Sequence, residues 1–259
     1  RTLFDALAPD DLVLRHAWLF ASGWVELPDG KEENYQETDL LRAKLRGDAF
    51  SEIFAASGWR DVVRLAKQAE SPGLVGWEIA IAPFLEHEFP GWALGIWRES
   101  TPPAHDALWR GLVHGLSAER RMAFLADVQR SATPKALTNV LQSSPFDRST
   151  WDFVEALPLE ARIAYWREVC PGVVLGEGED LLFVVDKLID AGRHRTAFNV
   201  LQFCPQHVGT SRLVTILNAI RSGAEPDGGQ LDGWRIGEAL AVLEEDTDFP
   251  HRDLAVMEY

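Results

Sequence analysis

Three stretches of this chain share one phrase: LAPDDLVLRHAWL from Leu7, LSAERRMAFLADV from Leu116 and LPLEARIAYWREV from Leu157. In each, an apolar residue precedes a helix-opening residue, and an acid (Asp10, Glu119 or Glu160) stands three positions after the leading Leu. Apolar residues return at offsets +6 and +12, as Val13 and Leu19, Met122 and Val128, and Ile163 and Val169. One helical hairpin cannot bury its own apolar face and borrows that of its neighbour, so recurrence at this scale constrains the chain to stacked helices.

The remaining periodicity agrees. In EDLLFVVDKLIDAG, Leu181, Val185 and Leu188 follow helical spacing, Leu182 and Ile189 widen the stripe, and Gly192 marks the stop. RHRTAFNVLQFC repeats the spacing at Ala197, Leu201 and Cys204, so the two segments read as a helical hairpin. IFAASGWRDVVRLA holds an earlier junction: Ile53 and Phe54 end one helix, Gly58 breaks it, and Val62, Leu65, Ala66 and Ala69 line the next. Leu213, Ile216, Leu217 and Ile220 continue the theme, and no run alternates with a period of two. The spacing predicts an all-α chain, an irregular α-solenoid (superhelix) of about fourteen helices in antiparallel hairpins.

The 41 residues from Leu116 to Leu157 match HEAT-like pairs, whereas the 34 between Cys170-Pro171 and Cys204-Pro205 match the tetratricopeptide period, so the repeat is irregular. Residues 1–259 read as one helical-repeat region. WVELPDGKEENYQETD (24–39) reads as a polar loop and SSPFDRST (143–150) as a turn in which Asp147 or Ser149 caps the next helix. Soft boundaries fall near 100–103 (STPP) and 221–233 (RSGAEPDGGQLDG). The chain opens on Arg1 rather than Met and stops at AVMEY, which reads as a piece of a longer polypeptide.

With 25 basic against 40 acidic residues the net charge is −15, which repels a phosphate backbone and argues against general nucleic-acid binding. Arg120 with Arg121, and Arg193, His194 and Arg195, form basic clusters that read as solvated helix faces and ends. Two cysteines make no disulfide framework, and no stretch reaches the ~20 apolar residues of a membrane span, so a cytoplasmic protein is expected.

RHAWLFASGWVEL, SPFDRSTWDFVEALPLEARIAYWREVCP and KLIDAGRHRTAFNVL resemble helical-repeat regions of large bacterial multidomain proteins, nearest the C-terminal repeats of STAND-type NTPases and other bacterial antiviral proteins. The resemblance implies an array that senses a foreign protein or restrains an effector domain. No Gly-rich phosphate loop ending in Gly-Lys-Ser/Thr is present, so the resemblance carries over no catalytic residue.

Candidate chemistry is sparse. Cys170, His194, Cys204 and His207 are the best metal set, yet Cys170 and His194 each stand alone, and both cysteines read as packed core thiols. Glu86, His87 and Glu88 are consecutive and point apart on a helix. His105-Asp106 and His114 lack a nucleophile, and EEDTD (244–248) lacks the calcium-loop pattern. Trp18, Trp24, Trp92 and Trp97 read as core before partner anchors. No catalytic, cofactor-binding or metal residues are expected. The expected function is a non-enzymatic scaffold or sensor that binds a protein partner, with a regulatory domain of an enzyme lying outside this chain as the alternative. Any apolar binding groove is expected on the second helices of the hairpins, such as the one after Gly192.

Overall fold

The computed structural model describes residues 9–22, 25–27, 35–82, 104–172, 178–201, 204–223, 225, 231–247 and 249–250, and among these every regular element is helical. The all-α expectation holds. Two compact units divide the chain, Arg1–Pro145 and Phe146–Tyr259, at the SSPFDRST turn. The segment 100–103 lies outside the described residues, and 221–233 is described only in part.

The first unit contains α1 (Leu12–His16), a 3₁₀ turn (Ala17–Phe20), α2 (Tyr35–Ser57), α3 (Trp59–Gln68), α4 (Pro72–Ile81), α5 (Ala104–Gly115), α6 (Ala118–Ser131) and α7 (Pro134–Ser143). Gly58, at φ 61°, separates α2 from α3 in a conformation that side chains other than glycine rarely adopt. Ile53, Val62, Leu65, Ala66 and Ala69 around it are all buried, as their spacing predicts.

The closest packing joins α4 to α5 through glycines. A Cβ on Gly76 would lie 2.0 Å from the Leu108 carbonyl oxygen, and one on Gly111 would lie 1.8 Å from that of Gly73. On Gly115 it would fall 2.7 Å from the Ala80 Cβ. Backbone therefore rests on backbone. Arginines fasten the surrounding segments: Arg46 Nε and Nη2 donate to the Leu19 and Ser22 carbonyls at 2.8 and 2.7 Å, and Arg42 Nε donates to that of Val25 at 2.8 Å.

The second unit contains α8 (Arg148–Glu155), α9 (Leu159–Glu168), α10 (Glu179–Asp190), α11 (His194–Leu201), a 3₁₀ turn (Pro205–His207), α12 (Thr210–Arg221) and α13 (Gly233–Glu245). Its core is built on rings. Phe146 meets Trp151 at 4.9 Å and Trp166 at 6.3 Å between centroids, and Phe183 meets both tryptophans at 6.0 Å. Tyr165 packs on Trp166 at 5.2 Å, and its burial, with the nearby Asp147 charge, pushes its hydroxyl well above the ordinary tyrosine range. Asp147 itself caps α8 by accepting from the Thr150 N–H at 2.9 Å.

The recurrent phrase does mark helix starts, and its +12 position is buried in each copy as Leu19, Val128 and Val169, whereas +6 is buried at Val13 alone. After buried Leu116 and the Ser117 cap, Phe124, Leu125 and Val128 are buried; after buried Leu157 and Pro158, so are Tyr165, Trp166 and Val169. Offsets +8, +9 and +12 thus coincide in these two copies. At +6, Met122 is half-buried and Ile163 is exposed. On α10 the core stripe is Leu181, Val184, Val185 and Leu188, with Val184 taking the place expected for Leu182 and Ile189. The helix ends in paired bonds from the Gly192 N–H to the Ile189 carbonyl and from the Arg193 N–H to that of Leu188, with Gly192 at φ 76°.

Candidate docking groove

Helix α9 carries more apolar residues than its core face accommodates. Tyr165, Trp166 and Val169 turn inward, whereas Leu159 (61% exposed) and Ile163 (39% exposed), one helical turn apart, remain at the surface. They form one lip of a groove of about 210 Å³, with Trp166 in its wall. Glu155 from α8 and Lys187, Asp190 and Ala191 from α10 complete the far side, and Arg162 and Arg167 flank the apolar lip.

A polar hub fixes the floor. Glu155 accepts from the Trp166 indole Nε1 at 3.0 Å, from Lys187 Nζ at 2.6 Å and from Arg162 Nη1 at 3.5 Å. Burial raises the Glu155 carboxyl, but the bonds from Lys187 and Trp166 and the Lys187 and Arg162 charges outweigh it and hold the group below its ordinary range. Lys187 Nζ also lies 5.3 Å from the Phe183 ring centroid, so hub and ring core share this cation, and Arg148 lies 5.0 Å from the same ring. This is a preorganised surface with apolar anchoring positions and no nucleophile–base pair at its centre.

Other expected positions are dispersed. Among the described residues no group of three His, Cys, Asp or Glu side chains is placed to hold a metal ion, so Cys170, His194, Cys204 and His207 do not converge. The core-thiol expectation is corrected: Cys170 is exposed, because Val169 takes the core position at the end of α9, and Cys204 is only half-buried. His194 Nδ1 lies 3.2 Å from the Gly192 carbonyl oxygen. His114 is exposed, Glu86, His87 and Glu88 lie outside the described residues, and so do the side chains of His105 and Asp106.

The basic clusters are not solvated faces. Arg121 is buried, and Arg120 Nη1 donates to the Ala80 carbonyl at the end of α4 at 2.8 Å. Arg193 donates to the Val169 carbonyl, to Glu225 at 3.2 Å and to Thr196 at 3.0 Å. Within EEDTD, Asp246 accepts from Thr210 Oγ1 of α12, which gives that acid a structural role. Trp18 is half-buried, while Trp24, Trp92 and Trp97 lie outside the described residues. Among the described residues the exposed tryptophans are Trp77 and Trp234.

The sequence places such a groove on the second helices of hairpins, α11 among them. That helix buries Thr196, Ala197, Phe198, Val200 and Leu201, and Arg235 covers the Phe198 ring at 5.6 Å. The groove described in the second unit is lined from α8, α9 and the end of α10. The exposed pair at Leu159 and Ile163 escaped sequence reasoning because helical spacing alone assigns both to the core. No protein-family model, curated protein or solved structure matches this chain.

Proposed function

We propose that this chain is a non-enzymatic helical scaffold or sensor module that binds a protein partner. Its helices continue as an irregular solenoid of antiparallel hairpins within a larger, cytoplasmic bacterial polypeptide, as the resemblance to antiviral repeat regions implies. One observation carries the reading: Leu159 and Ile163 stand exposed a turn apart beside Trp166, over a floor already fixed by Glu155, Lys187 and Arg162. Exposed aliphatic anchors around an aromatic wall are what a partner helix needs, with its own anchors at one-turn spacing.

The partner is basic. Residues 146–259 hold ten basic against twenty acidic side chains, and the whole chain carries −15, so long-range attraction accelerates the approach of a cationic protein. Among the described residues no helix is long and apolar enough to cross a membrane.

The test is affinity capture with the intact protein, followed by retention of the captured partner on this segment and on a Leu159→Ser/Ile163→Ser variant. The groove reading expects retention by the segment and its loss in the double variant at unchanged helicity. Equal retention by both would remove the groove from the account. Rising salt should slow association far more than it speeds dissociation.

A further inference from the structure

A separate pocket in the first unit holds a buried carboxyl with no hydrogen bond. Glu78 on α4 is 5% exposed; its backbone carbonyl accepts from the Ala82 N–H at 3.1 Å, but among the described residues its carboxyl makes no hydrogen bond. So little exposure disfavours the charged carboxylate, so the position calls for a reason. Glu78 faces a pocket of about 240 Å³ between α2 and α4, with Asp48 and Ser51 at the mouth and Phe50 and Ile81 as apolar walls.

The second observation is Gly47, in the interior of the 23-residue helix α2. Glycine there weakens the helix by about 1 kcal/mol relative to alanine. No packing constraint demands it: an added Cβ would meet only the Glu78 Oε2, at an ordinary 3.8 Å. What the missing methyl does is leave the carboxylate open to the pocket.

We propose that the pocket between α2 and α4 binds a primary ammonium group, held by the Glu78 carboxylate with Asp48 and Ser51 at its mouth. The carboxylate takes one N–H, while Phe50 and Ile81 cover the adjoining methylenes. Arg46 does not fill this role: it acts on Glu78 through its charge, without a hydrogen bond to it, and two of its donors are directed at the Leu19 and Ser22 carbonyls. The charge acting on the carboxyl is that of Arg46, and the other acid lining the pocket is Asp48, both from α2; among the described residues α3 and α5 add no charge that acts on it. With Glu78 ionised, the pocket is lined by two acids and by no basic side chain. Burial pushes the Glu78 carboxyl up to about 7, against which the Arg46 charge pulls down, so an entering cation completes its ionisation near neutral pH.

The experiment is a nuclear magnetic resonance titration of the whole chain with n-butylammonium chloride, following the Gly47 and Ser51 amides. Saturable shifts are expected, with affinity rising about tenfold per pH unit below 7 and levelling off above it. Glu78→Gln and Gly47→Ala should each abolish saturation, the second while leaving the fold at least as stable as the parent. Unchanged binding in Glu78→Gln, or no saturation in the parent chain, overturns the proposal. So does equal affinity for tetramethylammonium, which has no N–H to donate. Nα-acetyl-lysine methylamide distinguishes the sources: tighter binding than n-butylammonium assigns the site to a protein lysine, and equal or weaker binding assigns it to a free alkylamine.

Discussion

The α4–α5 contact in the first unit and the ring cluster in the second hold helices together with opposite materials. Where Gly73, Gly76, Gly111 and Gly115 meet, side chains are removed so that backbones touch. Around Phe146, Trp151, Trp166 and Phe183 large side chains fill the space between helices. The first arrangement fails when an atom is added and the second when atoms are taken away. Rings can shift within their wells, whereas a carbonyl locked in a helix cannot.

The largest expected effect breaks the second arrangement. Trp151→Ala should cost about 4 kcal/mol in urea unfolding, the range for emptying a buried aromatic site. Trp151→Phe should cost about 1 kcal/mol or less, because the buried Trp151 Nε1 has no hydrogen-bond partner among the described residues to lose. Breaking the first takes a single methyl: Gly111→Ala should cost roughly 3 kcal/mol, at the top of the overpacking range, because the obstructing atom is the Gly73 carbonyl oxygen. If Gly111→Ala proves neutral, the glycine contact is looser than its geometry states and the comparison collapses.

Charge sharpens the contrast on a smaller scale. Glu78 has its carboxyl raised from 4.5 to about 7, so folding stability should fall as pH rises through that window and stay flat above it. Glu78→Gln should remove the fall and stabilise the chain at pH 8 by roughly 2–3 kcal/mol, measured by denaturation across pH. Glu155 has the opposite sign: its contribution is present above the ordinary carboxylate range and is lost as pH falls through its depressed value, below 4.5. Glu155→Gln should cost about 1–2 kcal/mol at neutral pH and nothing in strong acid. The smallest effect is Leu159→Ser, within about 0.5 kcal/mol, because the side chain is already in water.

Much of the helical layout was legible in the sequence. Gly58 and Gly192 marked their junctions, Asp147 its cap, and the stripe through Leu181, Val185 and Leu188 its face, because these signals act within a few residues. What depends on distant pairing was hidden. The glycines of α4 lie far in sequence from those of α5, so each pair reads as a weak helix until the other is seen against it; Gly residues three or four apart on two helices were the available signal. Arg121 looked like surface because burial of an arginine depends on what covers it. Cys170 looked like core because free cysteines are usually buried, but Val169 beside it holds the core position. For the candidate groove, helical spacing placed Ile163 on an apolar face but could not say that this face was wider than its neighbour.

Glu225 is the non-glycine residue at positive φ among those described, at 51°, and both its oxygens reach back to α11. It accepts from the Thr196 N–H at 3.0 Å and the Thr196 hydroxyl at 2.6 Å, and pairs with Arg193, from 29 positions downstream of Thr196. Helix α11 has eight residues, too few to persist in water by itself. Its first turn is thus completed by a part of the chain synthesised after α12. Opening of the segment around Glu225 should therefore expose the first turn of α11, and the Thr196 amide should lose its hydrogen-exchange protection together with that segment.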